Sequence, residues 1–528
     1  MKKIPGVVSK TSETELSTLD RRAFVKGFAT VSAGLAASPF LKSPAEAQAA
    51  PPSSDYPMGR PPSAFRPADH PNPPELPGSS RAGQYFRILY KPSTAPDELQ
   101  LGVNYTFWMP DNVQTVRGVI VHQHGAGVEA AQAGASAAFD LHWQALAKKW
   151  DCVLLGPSYL VTNDSTSGTG APGGASLWVA PQRGSAKAFE RGLHDVAQQS
   201  GHAEIATAPW FLWGHSAGGS WSRAMSLLYP ERIAAIFLRS GGGSVRAQTQ
   251  VPRTVYAIPT MANAGILEMG NSPWQGTLAG FQQFRAEGAP IGFAADPRTA
   301  HFCGDSRYLA IPFFEACMEM RLPEKGSKSQ TLRPVDQTHA WLASYPGNTA
   351  APAAEFKGDV KQSVWLPNAA VAKAWMDYVK TGTVADCSIP PGPFNVRVNN
   401  TGDRGTEVSW DAAADIASGL GGFIVVRDGQ GIARFPVDAP EEVYGRPLFQ
   451  GLSFHDTPDV PLPKMTYLDA TTKAGESHTY TVIALSSAGV PSVPGGSPDG
   501  MRTLTGRLMR SLPQFDGASF DGASEEKA

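Results

Sequence analysis

From about residue 81 to 386, short continuous apolar runs alternate with longer stretches whose apolar positions recur every three to four residues. The first pattern predicts buried strands and the second predicts amphipathic helices. Gln84 to Tyr90 and Leu101 to Pro110 read as antiparallel lead-in strands. Val116 to His122, Cys152 to Leu155, Trp210 to Trp213, Ala234 to Leu238, Thr254 to Ala262 and Ile291 to Ala294 read as buried strands. Helices are predicted over Ala135 to Trp150, Ser185 to Ser200, from Ser220 onward, over Trp274 to Glu287, and over Ser306 to Met320. Apolar strands spaced by helices imply a mostly parallel sheet covered on both faces, an α/β architecture. Ligands of such sheets bind at the carboxyl ends of the strands.

The pattern changes at Pro390-Pro391-Gly392-Pro393. Short alternating runs follow at Phe394 to Val398, Thr406 to Trp410, Phe423 to Arg427 and Ser477 to Leu485, an all-β signature. With Trp410 as core and Tyr480 in a tyrosine-corner position, this region resembles a small fibronectin type III sandwich. Ahead of the α/β region, ten prolines fall within residues 51–77, the composition of a stiff linker. Still earlier come Arg21-Arg22, a weakly apolar run from Gly27 to Phe40, and the small-x-small sites Ala45-Glu46-Ala47 and Ala47-Gln48-Ala49. This resembles a bacterial twin-arginine signal peptide. The division expected is 1–49 leader, 50–80 linker, 81–386 α/β domain, 387–502 β domain and 503–528 disordered tail. The leader implies export to the periplasm or the medium, with no membrane span in the mature chain.

Composition removes several alternatives. A hydrophobic share of 42% supports a sizeable core, and a net charge of −2 lacks the basic surplus that nucleic-acid binding needs. Four cysteines exclude a disulfide-dense scaffold. Cys303 and Cys317 are close enough in sequence to pair, while Cys152 lies in an apolar strand as a buried thiol.

Candidate chemistry centres on Gly214-His215-Ser216-Ala217-Gly218, which directly follows an apolar strand and precedes a helix. That context is what a G-x-S-x-G nucleophile elbow requires, with Ser216 as nucleophile. A serine hydroxyl needs a neighbouring base, and in this arrangement an acid and then a histidine follow the serine in chain order. Of the later histidines, His455 and His478 fall in the expected β domain, leaving His301 and His339. His301 is favoured, because it lies in the loop after the strand ending at Ala294. Among intervening carboxylates, Glu231 and Glu287 end helices. Glu268 sits in the loop after a strand and is the favoured acid, with Asp296 its rival.

Val119 to Gly127 runs from an apolar strand into His124-Gly125-Ala126-Gly127. This loop is a candidate oxyanion segment, with Ala126 or Gly125 giving one backbone N–H and Ala217 the other. A metal reading of His122 and His124 lacks an accompanying Cys or acid cluster. Trp178, in the loop from Leu160 to Arg183, is either an aromatic wall for substrate or a hydrophobic anchor.

Taken together, residues 116–320 resemble the α/β-hydrolase superfamily, specifically secreted bacterial esterases related to polyhydroxyalkanoate depolymerases and feruloyl esterases. His301-Phe302-Cys303-Gly304-Asp305-Ser306-Arg307-Tyr308 resembles the family's catalytic-histidine segment. The resemblance implies an α/β-hydrolase fold and cleavage of a small or polymeric carboxylic ester through an acyl-enzyme, without cofactor. Glu268 departs from the commoner Asp, and no long lid is inserted. A peptidase or amidase with the same triad remains an alternative, as does a non-catalytic binding protein. The β domain would then be a spacer or a surface-attachment module.

Overall fold

A computed structural model of the 528-residue chain describes residues 83–127, 133–161, 174–245, 250–327, 329–436, 445–446, 448–458 and 464–495. The expected leader, linker and tail lie outside the described residues, as does the loop 162–173. Two compact units divide the chain.

The first unit is built on an eight-stranded sheet of order β1-β2-β4-β3-β5-β6-β7-β8. Its strands are β1 Gly83–Tyr90, β2 Val103–Pro110, β3 Gly118–Gln123, β4 Cys152–Tyr159, β5 Trp210–His215, β6 Ile233–Arg239, β7 Thr260–Gly265 and β8 Ile291–Asp296. β1 and β2 pair antiparallel, as do β2 and β4, whereas every neighbouring pair from β4 to β8 is parallel. All residues of β3, β5, β6 and β7 are buried, which explains the apolar runs at 118–121, 210–213 and 233–238 in the first three. The helices are α1 Leu141–Lys149, α2 Gly174–Val179, α3 Ser185–Ser200, α4 Ala217–Leu228, α5 Ser272–Ala286, α6 Arg307–Arg321 and α7 Ala369–Thr381. A small sheet of order β10-β9-β11 completes this part of the chain, formed by β9 Trp341–Ala343, β10 Ala350–Pro352 and β11 Val364–Leu366. This is the α/β-hydrolase fold. Among the described residues no helix is long and apolar enough to cross a membrane.

Two predicted elements differ for local reasons. The helix expected over Ala135 to Trp150 is split into a 3-10 segment, Ala133–Phe139, and α1. Asp140 caps α1, its carboxylate accepting from the backbone N–H groups of His142 and Trp143 at 2.9 and 3.1 Å. A capping carboxylate offers those amides a partner outside the helix, so the helix starts there although the apolar spacing runs on. The strand expected over Thr254 to Ala262 becomes a 3-10 turn, Arg253–Ala257, with β7 starting only at Thr260. Pro259, which has no N–H to give to a ladder, stands between them.

Among its described residues the second unit contains two antiparallel three-stranded sheets. One has the order β12-β13-β16 and the other β15-β14-β17. Their strands are β12 Phe394–Asn400, β13 Thr406–Asp411, β14 Leu420–Arg427, β15 Gln430–Phe435, β16 Thr466–Asp469 and β17 Tyr480–Ser486. Trp410 is buried edge-on against Phe423 and Phe435, with ring centroids 5.1 and 5.6 Å away. The Tyr480 hydroxyl donates to the Asp469 carboxylate at 2.9 Å. A tyrosine corner would bond to backbone, so this partner departs from the expectation.

The chain passes from the first unit to the second between Ala385 and Asp386, close to the expected boundary. The expected continuous β domain over 387–502 nevertheless needs correction. Among its described residues, 445–446 and 450–458 belong to the first unit. Buried ion pairing with Arg307 holds that return segment, and no local pattern in the sequence reports such a pairing.

Candidate active site

Ser216 stands between β5 and α4 with φ 54° and ψ −118°. A non-glycine residue there carries strain of about 1–3 kcal/mol and needs its surroundings to hold it. Part of that hold is the Ser216 N–H, which donates to the Arg239 carbonyl at 2.8 Å. Gly218 supplies the room. A Cβ there would lie 2.2 Å from the Gln123 carbonyl oxygen and 2.5 Å from that of His124. The start of α4 can therefore lie against the end of β3 only with glycine at this position. Ser216 keeps partial exposure in an otherwise buried neighbourhood.

Gly125 marks where the β3 loop passes, since a Cβ on it would lie 3.2 Å from Ser216 Cβ. Gly125 is buried and Ala126 exposed. Ala217 is the first residue of α4, where backbone N–H groups have no intrahelical partner. The three residues expected to form an oxyanion hole thus lie beside the serine or next to a residue that does.

His301 lies in the loop between β8 and α6, and its Nδ1–H donates to Glu268 Oε2 at 2.7 Å. Glu268 ends the 3-10 turn Ile266–Glu268 after β7 and is buried. Its other oxygen accepts from the Ser240 hydroxyl. Gly265 makes this approach feasible, because a Cβ there would sit 2.1 Å from the Thr299 carbonyl oxygen and 2.3 Å from that of Ala300. Burial acts to raise the Glu268 carboxyl. The hydrogen bonds from His301 and Ser240 and the nearby charges of His301 and Arg239 outweigh it, and hold the group below its ordinary value. The side chain is therefore a carboxylate at neutral pH.

The backbone carrying His301 is fixed carbonyl by carbonyl. The buried Arg239 guanidinium donates to Asn263 Oδ1 at 2.8 Å and Thr299 Oγ1 at 2.7 Å, and to the carbonyls of Ala300 and Phe302. Between those two, the His301 carbonyl accepts from His215 Nε2–H at 2.6 Å. Burial, reinforced by the neighbouring charges of His455, His301 and Arg239, holds the His215 imidazole well below its ordinary pKa.

The rivals are placed elsewhere. Asp296 accepts from the Tyr378 hydroxyl at 2.6 Å and from the Arg298 N–H at 2.9 Å. His339 is exposed, in the turn before β9. His478 is bonded to Asp428 in the second unit. His455 requires a correction, because it belongs to the first unit and places its Nδ1 2.8 Å from His215 Nδ1. Its position far along the chain, inside a β-patterned region, concealed it.

Trp178 is fully buried in α2 and stacked on Tyr159, with centroids 4.7 Å apart at 10°. Its carbonyl accepts from the Ser185 hydroxyl at 2.6 Å. It has no exposed face, and its ring is covered by Tyr159. All four cysteines are free thiols, Cys303 and Cys317 included. His122 lies face to face with Trp213 at 3.8 Å, and burial pushes its pKa down to about 3. Among the described residues no group of three or more His, Cys, Asp or Glu side chains could hold a metal ion.

The first unit is thus an α/β-hydrolase-fold body with a strained serine, a histidine and a buried carboxylate at the carboxyl ends of its strands. No family model matches the chain, and no curated protein matches its sequence. Solved structures that are similar include a thermostable esterase, at 16% identity and TM-score 0.30, covering 40% of this chain and 54% of that one. This chain therefore spans little more than half of that esterase. An S-formylglutathione hydrolase from Agrobacterium tumefaciens matches at 15% identity and TM-score 0.31, covering 46% of this chain and 97% of that one. A ferulic acid esterase matches at 12% identity and TM-score 0.33, covering 46% and 98%.

Proposed function

We propose that the chain is a serine hydrolase of carboxylic esters, with Ser216 as nucleophile, His301 as base and Glu268 as the acid that orients it. The 2.7 Å bond from His301 Nδ1–H to Glu268, beside a serine on a strained strand-to-helix turn, carries this reading. With Nδ1 protonated, His301 Nε2 keeps its lone pair and takes the Ser216 proton as the hydroxyl oxygen attacks the ester carbonyl. The carbonyl π electrons move to oxygen, and the N–H groups of Ala217 and of Ala126 or Gly125 stabilise that oxyanion. The imidazolium, stabilised by Glu268, gives its proton to the departing alcohol, leaving Ser216 acylated. Water then repeats the sequence and releases the acid.

The chemistry needs no cofactor. A peptidase or amidase would use the same residues. The twin-arginine leader with Arg21 and Arg22 would export the protein, and the second unit would act as a fibronectin type III-like spacer or surface module. The test is hydrolysis of p-nitrophenyl esters of short and medium chain length by residues 50–528, beside Ser216→Ala and His301→Ala. Loss of turnover in both variants with unchanged circular dichroism supports the assignment. Turnover of p-nitroanilides but not of esters would move the protein to the amidases, and a fully active His301→Ala would remove the base.

A further inference from the structure

Residues 450–458 reach the first unit from far along the chain, yet no step of the proposed chemistry uses them. Several buried contacts seat them. Arg307 Nε donates to Asp456 Oδ1 and its Nη2 to the Asp456 carbonyl, both at 2.8 Å. The same guanidinium reaches Asp140 Oδ1 at 3.2 Å and Oδ2 at 2.7 Å, with all three side chains out of solvent. Gln450 accepts from the Leu141 N–H at 2.9 Å and donates to the Phe139 carbonyl at 2.7 Å. The Phe454 carbonyl accepts from the Cys303 N–H at 3.2 Å, two residues beyond His301.

These contacts deliver His455 to the centre of the site. Its ring centroid is 5.0 Å from those of both His124 and His215. Its Cε1 is 3.5 Å from where a Cβ of Gly125 would stand, and that same point is 3.2 Å from Ser216 Cβ. The His455–His215 contact has a definite polarity. A carbonyl only accepts, so the 2.6 Å contact with the His301 carbonyl requires the proton on His215 Nε2. A neutral His215 then offers a lone pair at Nδ1, and His455 Nδ1–H is the donor across the 2.8 Å contact.

We propose that His455 is a positioning residue for the active site. It donates to His215 and fixes the tautomer with which His215 holds the His301 backbone, and it packs against the loop at Gly125. This rests on the reading of Ser216 and His301 as nucleophile and base. The catalytic unit is then discontinuous in sequence, and a chain cut after residue 386 lacks part of it.

The test compares the parent, Ser216→Ala, His455→Ala and His455→Gln in full-length mature protein. One readout is kcat and KM on p-nitrophenyl butyrate. The other is the rate at which a p-nitrophenyl phosphonate modifies Ser216. A displacement of about 1 Å at a reacting group costs roughly 10²-fold in rate. His455→Ala is therefore expected to lower kcat and the phosphonylation rate together by about that factor, with KM within about twofold. Gln can still donate to His215 Nδ1, so His455→Gln should return to within about tenfold of the parent. Both rates staying within about threefold of the parent in His455→Ala overturns the proposal. So does failure of both variants to fold, which would make His455 a fold determinant rather than a positioning residue. A parent inert on esters but phosphonylated at Ser216 removes the ester reading, and the phosphonylation rates then decide the role of His455. A parent that neither turns over nor is phosphonylated overturns both.

Discussion

Replacing Glu268 by Gln keeps the side chain's shape and removes its charge. In the parent, the carboxylate accepts from His301 Nδ1–H at 2.7 Å and from the Ser240 hydroxyl. A hydrogen bond to a charged group contributes roughly 1.5–3 kcal/mol. At about 1.4 kcal/mol per decade, losing the charge alone should lower kcat by about 10–150-fold. A second effect depends on which way the amide turns. With its oxygen toward His301, Nδ1–H keeps an acceptor and Ser240 accepts from the NH2 group. With NH2 toward His301, the ring must accept at Nδ1, its proton moves to Nε2, and the base is lost. In a serine protease that kind of tautomer error costs about 10⁴-fold in kcat. The expected loss therefore lies between about 10-fold and 10⁴-fold, measured as kcat on p-nitrophenyl butyrate at pH 8 with thermal melts alongside. Asp296→Asn is the control. Its carboxylate is engaged by Tyr378 and Arg298, so stability should fall more than turnover. Glu268→Gln with kcat within about threefold of the parent, or a larger loss in Asp296→Asn, would refute the acid assignment.

Three further outcomes are expected. Because the Glu268 carboxyl is held below its ordinary value, its stabilisation is present above the unfolded-state value near about 4.3 and is lost as pH falls through the folded value. The stability gap between parent and Glu268→Gln should thus narrow as pH falls from 7, and a constant gap in urea titrations would contradict this. Arg307→Met strands the buried carboxylates of Asp140 and Asp456 and should cost about 3–5 kcal/mol of unfolding free energy; a loss under about 1 kcal/mol would show the pair to be unimportant. Of the four thiols only Cys387 is exposed, and burial pushes those of Cys152, Cys303 and Cys317 up. A thiol-specific disulfide reagent should therefore titrate one thiol per folded chain and four in urea, whereas two in urea would reveal a Cys303–Cys317 bridge.

Local chemistry made much of this protein legible. The unbroken apolar runs of β3, β5 and β6 are what a strand covered on both faces requires, and α3 spans the predicted Ser185–Ser200. The strand-to-helix turn at Ser216 follows from glycines flanking a serine between two such elements. Chain order and loop position then favoured His301 over His339 and Glu268 over Asp296, and the fold brings His301 Nδ1 to 2.7 Å from Glu268 Oε2. Local signals misled where a side chain outcompeted the periodicity, as Asp140 does by capping α1 inside an apolar pattern. They also left Trp178 undecided, because an aromatic in a loop carries no mark of whether a Tyr159 ring will cover it.

What the sequence could not show is the ownership of residues 450–458. Strand and helix patterns report how a segment meets water over a few residues, and the alternating runs on either side placed 450–458 inside the expected β domain. Its placement depends on Arg307, Asp140 and Asp456, separated by up to hundreds of residues, sharing one buried charge cluster. Such a pairing is stable only when three elements have already converged and excluded water, so it is a property of the tertiary structure. Through it, His455 comes to stand against His215, and the sequence alone could not have placed it there.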